Sequence, residues 1–294
     1  IAIFSSFIIF LIIFILIGEV KINFKNIEIM SLICSTAIII SIGLLDDCYK
    51  LKTYKKIIFQ FIAALIFIYG FQFNNIVFIN NYYVDLAINL LFIIGITNSI
   101  NLLDGVDRLA GGVCIIIILS FLIFFHIIKS YELHFLLIVI VSSLFSFMIF
   151  NNKPAKIFLG DMGSLFLGWF FAIVSLFYIN SSSSELSILL PMMLLALPAF
   201  DVIFVMLDRF INKNNVTLFN RFLGMFQPDN NHIHHILLKT GLPNRKTILI
   251  LYTYTFFSCI IAIISLKYIE YIVINFILLL ILFICLRYYF KFER

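Results

Sequence analysis

Charge is scarce in this sequence. Asp, Glu, Lys and Arg make up only 12% of its 294 residues, whereas 63% are hydrophobic. A chain so poor in charge cannot coat the surface of a soluble domain. Long polar segments are also lacking. The longest, 208–246, has fewer than forty residues, which leaves no room for a second, soluble domain. Cysteines are few and scattered: Cys34, Cys48, Cys114, Cys259 and Cys285 lie mostly in apolar runs with no metal-type pairing, and read as small core residues. The first apolar run does not read as a secretory leader, because it has neither a charged start nor a small-residue cleavage site. The sequence opens abruptly on Ile1 rather than Met and reads as incomplete at its N-terminus.

Apolar runs of membrane-crossing length are abundant. They lie near 1–18, 29–45, 57–73, 84–99, 112–128, 133–150, 163–179, 186–207, 247–266 and 269–290. A span of about 20 apolar residues crosses the hydrocarbon core, and in lipid it must be helical so that every backbone polar group is paired. The expected fold is therefore all-α: a polytopic integral membrane helical bundle of about ten transmembrane helices. It forms a single domain over 1–294, with a cytoplasmic loop at 208–246. If the spans alternate, sixteen of the Lys and Arg residues fall on one side and only Lys21, Lys25, Lys129 and Lys267 on the other. Positive charge marks the cytoplasmic side. Eight of the nine aspartates, all but Asp85, lie on or near that same side, while the glutamates gather at outer ends.

Basic residues and short carboxylates on one membrane face suit a polyanionic substrate with a divalent ion. The most concentrated stretch is Asn98-Ser-Ile-Asn101-Leu-Leu-Asp104-Gly105-Val-Asp107-Arg108, followed by Leu-Ala-Gly111-Gly112. Asn98, Asn101, Asp104 and Asp107 recur every third residue, as neighbours on a helix face do. Carboxylates and amide oxygens are ligands for a hard cation. A plain inter-helix loop would explain the glycines but not the acids and amides in register. Asp46 and Asp47 close the second run; being adjacent, they point to different faces and take different tasks. Lys50, Lys52, Lys55 and Lys56 follow, as stop-transfer charges or as contacts to anionic groups. Asp161 lies between Gly160 and Gly163 at the start of a long helix, where it either caps the helix or sets an ion against a phosphate. Asp201 sits inside an apolar run, which marks it as functional, and Arg209 follows Asp208 as a phosphate fork or a helix-end pair. The trio His232, His234 and His235 invites zinc, but no Cys lies near; donation to phosphate, sugar or uracil oxygens fits better.

These motifs, in this order, resemble the polyprenyl-phosphate N-acetylhexosamine-1-phosphate transferases, glycosyltransferase family 4, in the undecaprenyl-phosphate GlcNAc-1-phosphate transferase branch. The resemblance runs through Asp46-Asp47 with Lys56 and Gln60, Asn98-x-x-Asn101-x-x-Asp104-Gly105-x-Asp107, and Pro154-Ala-x-x-Phe158-x-Gly160-Asp161-x-Gly163-Ser164. It continues through Pro198-x-x-Asp201 before Arg209, and His232-x-His234-His235 before Gly241-Leu. Arg108 stands where the family usually has Gly. The family's first helix and the loop after it are absent here, as in an N-terminally truncated chain. The resemblance implies a Mg-dependent phosphotransferase of the plasma membrane with a cytoplasmic active face. It would move N-acetylhexosamine-1-phosphate from a UDP-sugar to undecaprenyl phosphate, release UMP and start O-antigen, common-antigen or teichoic-acid synthesis. Asp161 and Asn101 would hold Mg²⁺ (or Mn²⁺). Asp46, Asp47, Asp104 and Asp107 would be catalytic, with roles interchangeable among them. Asn98, Lys56, Arg209, His232, His234 and His235 would bind substrate. The partners implied are the lipid acceptor, the sugar nucleotide and the bilayer, with no nucleic acid; a homodimer is compatible. Rival readings are phospho-N-acetylmuramoyl-pentapeptide transferase activity and a transporter using the same acids as a relay.

Overall fold

The computed structural model describes residues 25–73, 81–130, 133–152, 155–182, 186–212 and 231–292, and among these no residue is in a strand. The helices are α1 (Asn26–Tyr49), α2 (Thr53–Phe71), α3 (Tyr82–Leu103), α4 (Leu109–Ile127), α5 (His134–Phe150) and α6 (Gly160–Ser181). Then come α7 (Leu189–Leu194), α8 (Ala196–Asn212), α9 (Ile233–Lys239), α10 (Asn244–Lys267) and α11 (Ile272–Phe292), with a 3₁₀ turn at Ile269–Tyr271. Seven spans among the described residues are long and apolar enough to cross a membrane, and α5 is a shorter apolar helix. The first expected run, near 1–18, lies outside the described residues, as do Pro154, Asp229 and the middle of the 208–246 loop.

The run at 186–207 is not one helix. It breaks at Leu195 into α7 and α8. Pro198 supplies the reason: it has no N–H to bond Leu194, and its ring crowds that carbonyl. Neither piece alone reaches membrane-crossing length, so the described residues hold fewer full spans than the apolar runs suggest.

α6 is the central post, with Leu165, Trp169, Phe171, Val174 and Ile179 all buried. α1 and α3 press against it through glycine. A Cβ on Gly43 would lie 2.5 Å from the Met162 Cα, and one on Gly168 would lie 2.5 Å from the Thr97 carbonyl oxygen. Without a hydrophobic drive between helices in lipid, such close backbone packing is what holds them. The Trp169 indole N–H donates to Thr36 Oγ1 at 3.2 Å across the α1 contact. Outward-facing residues are apolar: Leu91 and Ile149 are each 72% exposed, as lipid-facing side chains are.

α1 and α2 form a hairpin. Lys50 takes the left-handed conformation (φ 50°) and donates its N–H to the Asp46 carbonyl at 2.8 Å, closing α1. The C-termini of α1 and α3 and the N-termini of α2 and α6 thereby meet at one end of the bundle.

Candidate active site

At that end the first amides of α6 need acceptors, and the helix dipole favours negative charge there. Both come from elsewhere in the chain. The two oxygens of Asp47 accept from the N–H groups of Asp161 (2.8 Å) and Met162 (3.2 Å), and the Gly160 amide donates to Asp104. Gly160 is required twice over: its φ is +69°, and a Cβ there would lie 2.9 Å from Asp47 Oδ2. Asp161 is therefore not the cap of its own helix. Leu159 holds the cap position without a side-chain bond, and Asp161 lies in the first turn with its carboxylate directed elsewhere.

Asp46 faces away from its neighbour, as adjacency requires. Its buried carboxylate accepts from the Leu51 N–H and the Lys56 ammonium, each at 2.6 Å. Lys56 also lies 3.8 Å from Asp161 Oδ1, and the Asp46 and Asp161 carboxyls are in hydrogen-bonding contact. Asn101 braces Asp161: its amide nitrogen donates to Asp161 Oδ1 and, at 2.8 Å, to Ser164 Oγ, which in turn donates to the Gly160 carbonyl. The sequence offered Asn101 as an oxygen ligand; its nitrogen faces Asp161, leaving the amide oxygen as the group an ion can use. Asn98 pairs with Gln60, the two amides exchanging bonds at 2.6 and 3.3 Å.

Asp104 carries the electrostatic cost of this gathering. Burial, then the charges of Asp161, Asp107 and Asp47, push its carboxyl up to about 7. Hard oxygens crowded against one another fit a divalent cation. Among the described residues no three His, Cys, Asp or Glu side chains are grouped to hold one alone. An ion here would need water or the oxygens of a bound ligand to complete its shell. One consequence is measurable without substrate. With cations chelated, Asp104→Asn is expected to melt above the parent protein at pH 8 and level with it near pH 3. The parent carboxyl takes up a proton on folding between its ordinary 3.8 and about 7, so stability falls as pH rises through that window, and the amide escapes this. Thermal unfolding in detergent against pH checks it; parallel curves for the two proteins would contradict it.

Arg108 keeps the turn that glycine would give, at φ 71°. Its N–H donates to Asn151 Oδ1 at 2.7 Å, its guanidinium to Asn152 Oδ1 at 3.1 Å, and its carbonyl accepts from the Tyr252 hydroxyl. The substitution clasps the Asp104–Asp107 loop to the α5–α6 connection and to α10.

The histidines close the site from the far part of the chain. A Cβ on Gly105 would lie 2.5 Å from His234 Nε2, so the missing side chain lets the histidine segment reach the aspartate loop. Burial lowers His234 to about 4 and keeps it neutral. The His232 and His234 rings are nearly parallel, 6.0 Å apart, and His235 lies 4.2 Å from His234. His232 Nδ1 is 2.8 Å from Asp201 Oδ2, and Asp201 Oδ1 accepts from the Ile233 N–H at 2.8 Å. Arg209 is half-buried on α8 beside Asp208. Asp208 binds Arg287 (2.9 Å) and Lys291 (3.1 Å), and Arg287 also reaches Asp201 at 3.1 Å. Sequence reasoning counted Arg287 only among the cytoplasmic positive charges. The signal that would have found it is the one that found Asp201: an ionisable residue inside an apolar run.

Comparison with known proteins bears on what this arrangement does. The family model for glycosyl transferase family 4 matches residues 29–179, about half of the chain. That stretch includes the Asp46-Asp47, Asn98-to-Asp107 and Asp161 motifs and ends before Asp201 and the trio His232, His234 and His235. A probable undecaprenyl-phosphate N-acetylglucosaminyl 1-phosphate transferase of Bacillus subtilis is 35% identical over 234 residues, covering 77% of this chain and 63% of the relative. The phospho-N-acetylmuramoyl-pentapeptide-transferase of Lactococcus lactis subsp. cremoris is 32% identical over 151 residues, 46% of each chain. That of Streptococcus mutans is 30% identical over 158 residues, 46% of this chain and 45% of the relative. The chain thus spans less than two thirds of the length of each of these relatives.

Proposed function

The chain belongs to glycosyl transferase family 4, and from that membership we propose that it transfers N-acetylhexosamine-1-phosphate from a UDP-sugar to undecaprenyl phosphate and releases UMP. The product would start a cell-envelope polysaccharide. The observation that supports this most is the gathering of Asp46 and Asp47 from the α1 end, Asp104 from the end of α3 and Asp161 from the first turn of α6, with Lys56 among them. An acceptor phosphate and a pyrophosphate can meet only where their charge is offset.

An acceptor phosphate oxygen attacks the sugar-bearing phosphorus, and the bond from that phosphorus to the UMP oxygen breaks. Lys56 offsets charge on the reacting phosphates. One of Asp46 and Asp47 orients the acceptor, and the other takes its proton where it carries one. Asp104 and Asp107 order the nucleotide end. Asn98, Arg209, His232, His234 and His235 bind the sugar nucleotide. A Mg²⁺ (or Mn²⁺) ion held by Asp161 and the Asn101 oxygen would neutralise charge developing between the phosphates. In this reading the full count is about ten spans in one domain over 1–294, set in the plasma membrane with the aspartates and the 208–246 loop on the cytoplasmic side; a homodimer is compatible.

The test is direct. Membranes containing the protein, supplied with undecaprenyl phosphate, Mg²⁺ and radiolabelled UDP-GlcNAc, are expected to give labelled lipid and equal UMP, both lost on chelation. Label entering lipid only from a UDP-muramoyl-pentapeptide would move the assignment to that branch. UMP release without labelled lipid would overturn transfer.

A further inference from the structure

We propose that Arg287 is a positioning residue for His232, acting through Asp201 to fix the imidazole tautomer that presents Nε2 as a bare acceptor to an O–H or N–H group of the sugar nucleotide. This assignment rests on the transferase reading above.

Asp201 has two oxygens, and both are spoken for. Oδ1 accepts from the Ile233 amide and from Arg287 Nη1 (3.1 Å), and Oδ2 faces His232 Nδ1 at 2.8 Å. With an amide and a guanidinium donating to it, Asp201 is held as a carboxylate, which can only accept. Nδ1 therefore carries the hydrogen, and in the neutral ring Nε2 holds a lone pair. His232 is 3% exposed, and Nε2 has no hydrogen-bond partner among the described residues. A buried acceptor without a donor is costly, so the group that satisfies it comes with the ligand. His234, whose ring nitrogens also lack partners among the described residues, lies alongside and abuts Gly105 in the aspartate loop, which orients the pair toward the polar end of the site.

Arg287 is fully buried. Its guanidinium joins Asp201, Asp208 and the Asn231 carbonyl, so one side chain of α11 ties α8 to the entry of α9. Asp208 keeps a second partner in Lys291. Asp201 has no second charged partner among the described contacts apart from His232, so loss of the fork falls chiefly on the aspartate behind the histidine. A point charge on a flexible stem cannot reproduce two donors aimed at two carboxylates.

The donor has two chemical sources, the sugar (a hydroxyl or the acetamido N–H) and the uracil N3–H. The experiment compares kcat/KM for the parent UDP-sugar with that for deoxy-sugar analogues, a ketone in place of the acetamide, and the N3-methyluracil nucleotide. For the wild-type protein one analogue is expected to lose about tenfold or more relative to the parent. In Arg287→Lys that discrimination is expected to collapse toward unity, with the parent substrate losing in KM and kcat together. Asp201→Asn supplies the same reading should Arg287→Lys fail to give a monodisperse detergent-solubilised protein. Its amide can offer an N–H to Nδ1 and so favours the opposite tautomer. Equal losses for parent and analogues in both variants would reduce Arg287 to a structural tie and overturn the proposal. A wild-type protein indifferent to every analogue would overturn it as well. Absence of wild-type turnover with any UDP-sugar would overturn the transferase reading first, and this assignment with it.

Discussion

Asp161→Asn is expected to lower kcat by a factor of about 10³ or more without weakening the fold. The substitution is isosteric and removes one negative charge from the point where Lys56, Asn101 and Asp46 converge. Removing that charge takes away the carboxylate oxygen a cation would use and leaves the Lys56 ammonium without a counterpart on α6. Stability moves the other way or not at all, because the contact between Asp46 and Asp161 places two acids side by side. Turnover and thermal unfolding of the same detergent-solubilised preparation separate the two effects. A variant with wild-type kcat would remove Asp161 from the chemistry, and one that fails to fold would make it a structural residue.

Gly43→Ala is expected to cost about 1–3 kcal/mol in stability and on the order of 10² in kcat. The new methyl would lie 2.5 Å from the Met162 Cα, 2.9 Å from its nitrogen and 3.0 Å from the Asp161 carbonyl oxygen. All three are backbone atoms, which cannot swing aside. α1 must back away from α6, and Asp46 and Asp47, about one turn further along the same helix, move with it. The Asp47 bonds to the Asp161 and Met162 amides then lengthen. Gly95→Ala is the control: nothing lies within 4 Å of its would-be Cβ, and alanine there suits the helix better than glycine does. Unfolding temperatures and kcat for the two variants check the pair. Equal behaviour would mean that α1 and α6 have more room than their backbones suggest.

Most helices were legible because lipid removes the ambiguity that periodicity has in water. An apolar run of sufficient length has to be helical, whichever residues face the core. The failure at 186–207 has a local cause. Hydropathy is blind to the missing N–H of Pro198, and a run that looks continuous is two helices. The candidate site was legible as a set of side chains but not as a set of partners. Adjacency alone separated the tasks of Asp46 and Asp47. Nothing local says that Asp47 would accept from a helix-start amide 114 residues away, or that Asp201 would take His232. Such pairings are fixed by which helix ends the bundle brings to one level. Arg287 was hidden for a related reason: averaged over its run, one charge among apolar neighbours leaves the hydropathy high.

The cap that Asp47 places on α6 also sets a schedule for biosynthesis. At about 5–20 residues per second, the ribosome delivers Asp161 on the order of ten seconds after Asp47, and until then both lack the partner they have in the finished bundle. Arg287 arrives later still, 86 residues beyond the Asp201 it holds. The polar end of the bundle is thus completed only after helices far apart in the sequence have all entered the bilayer. Until the helix that carries Arg287 has entered the bilayer, Asp201 and Asp208 are without the guanidinium they share in the folded bundle.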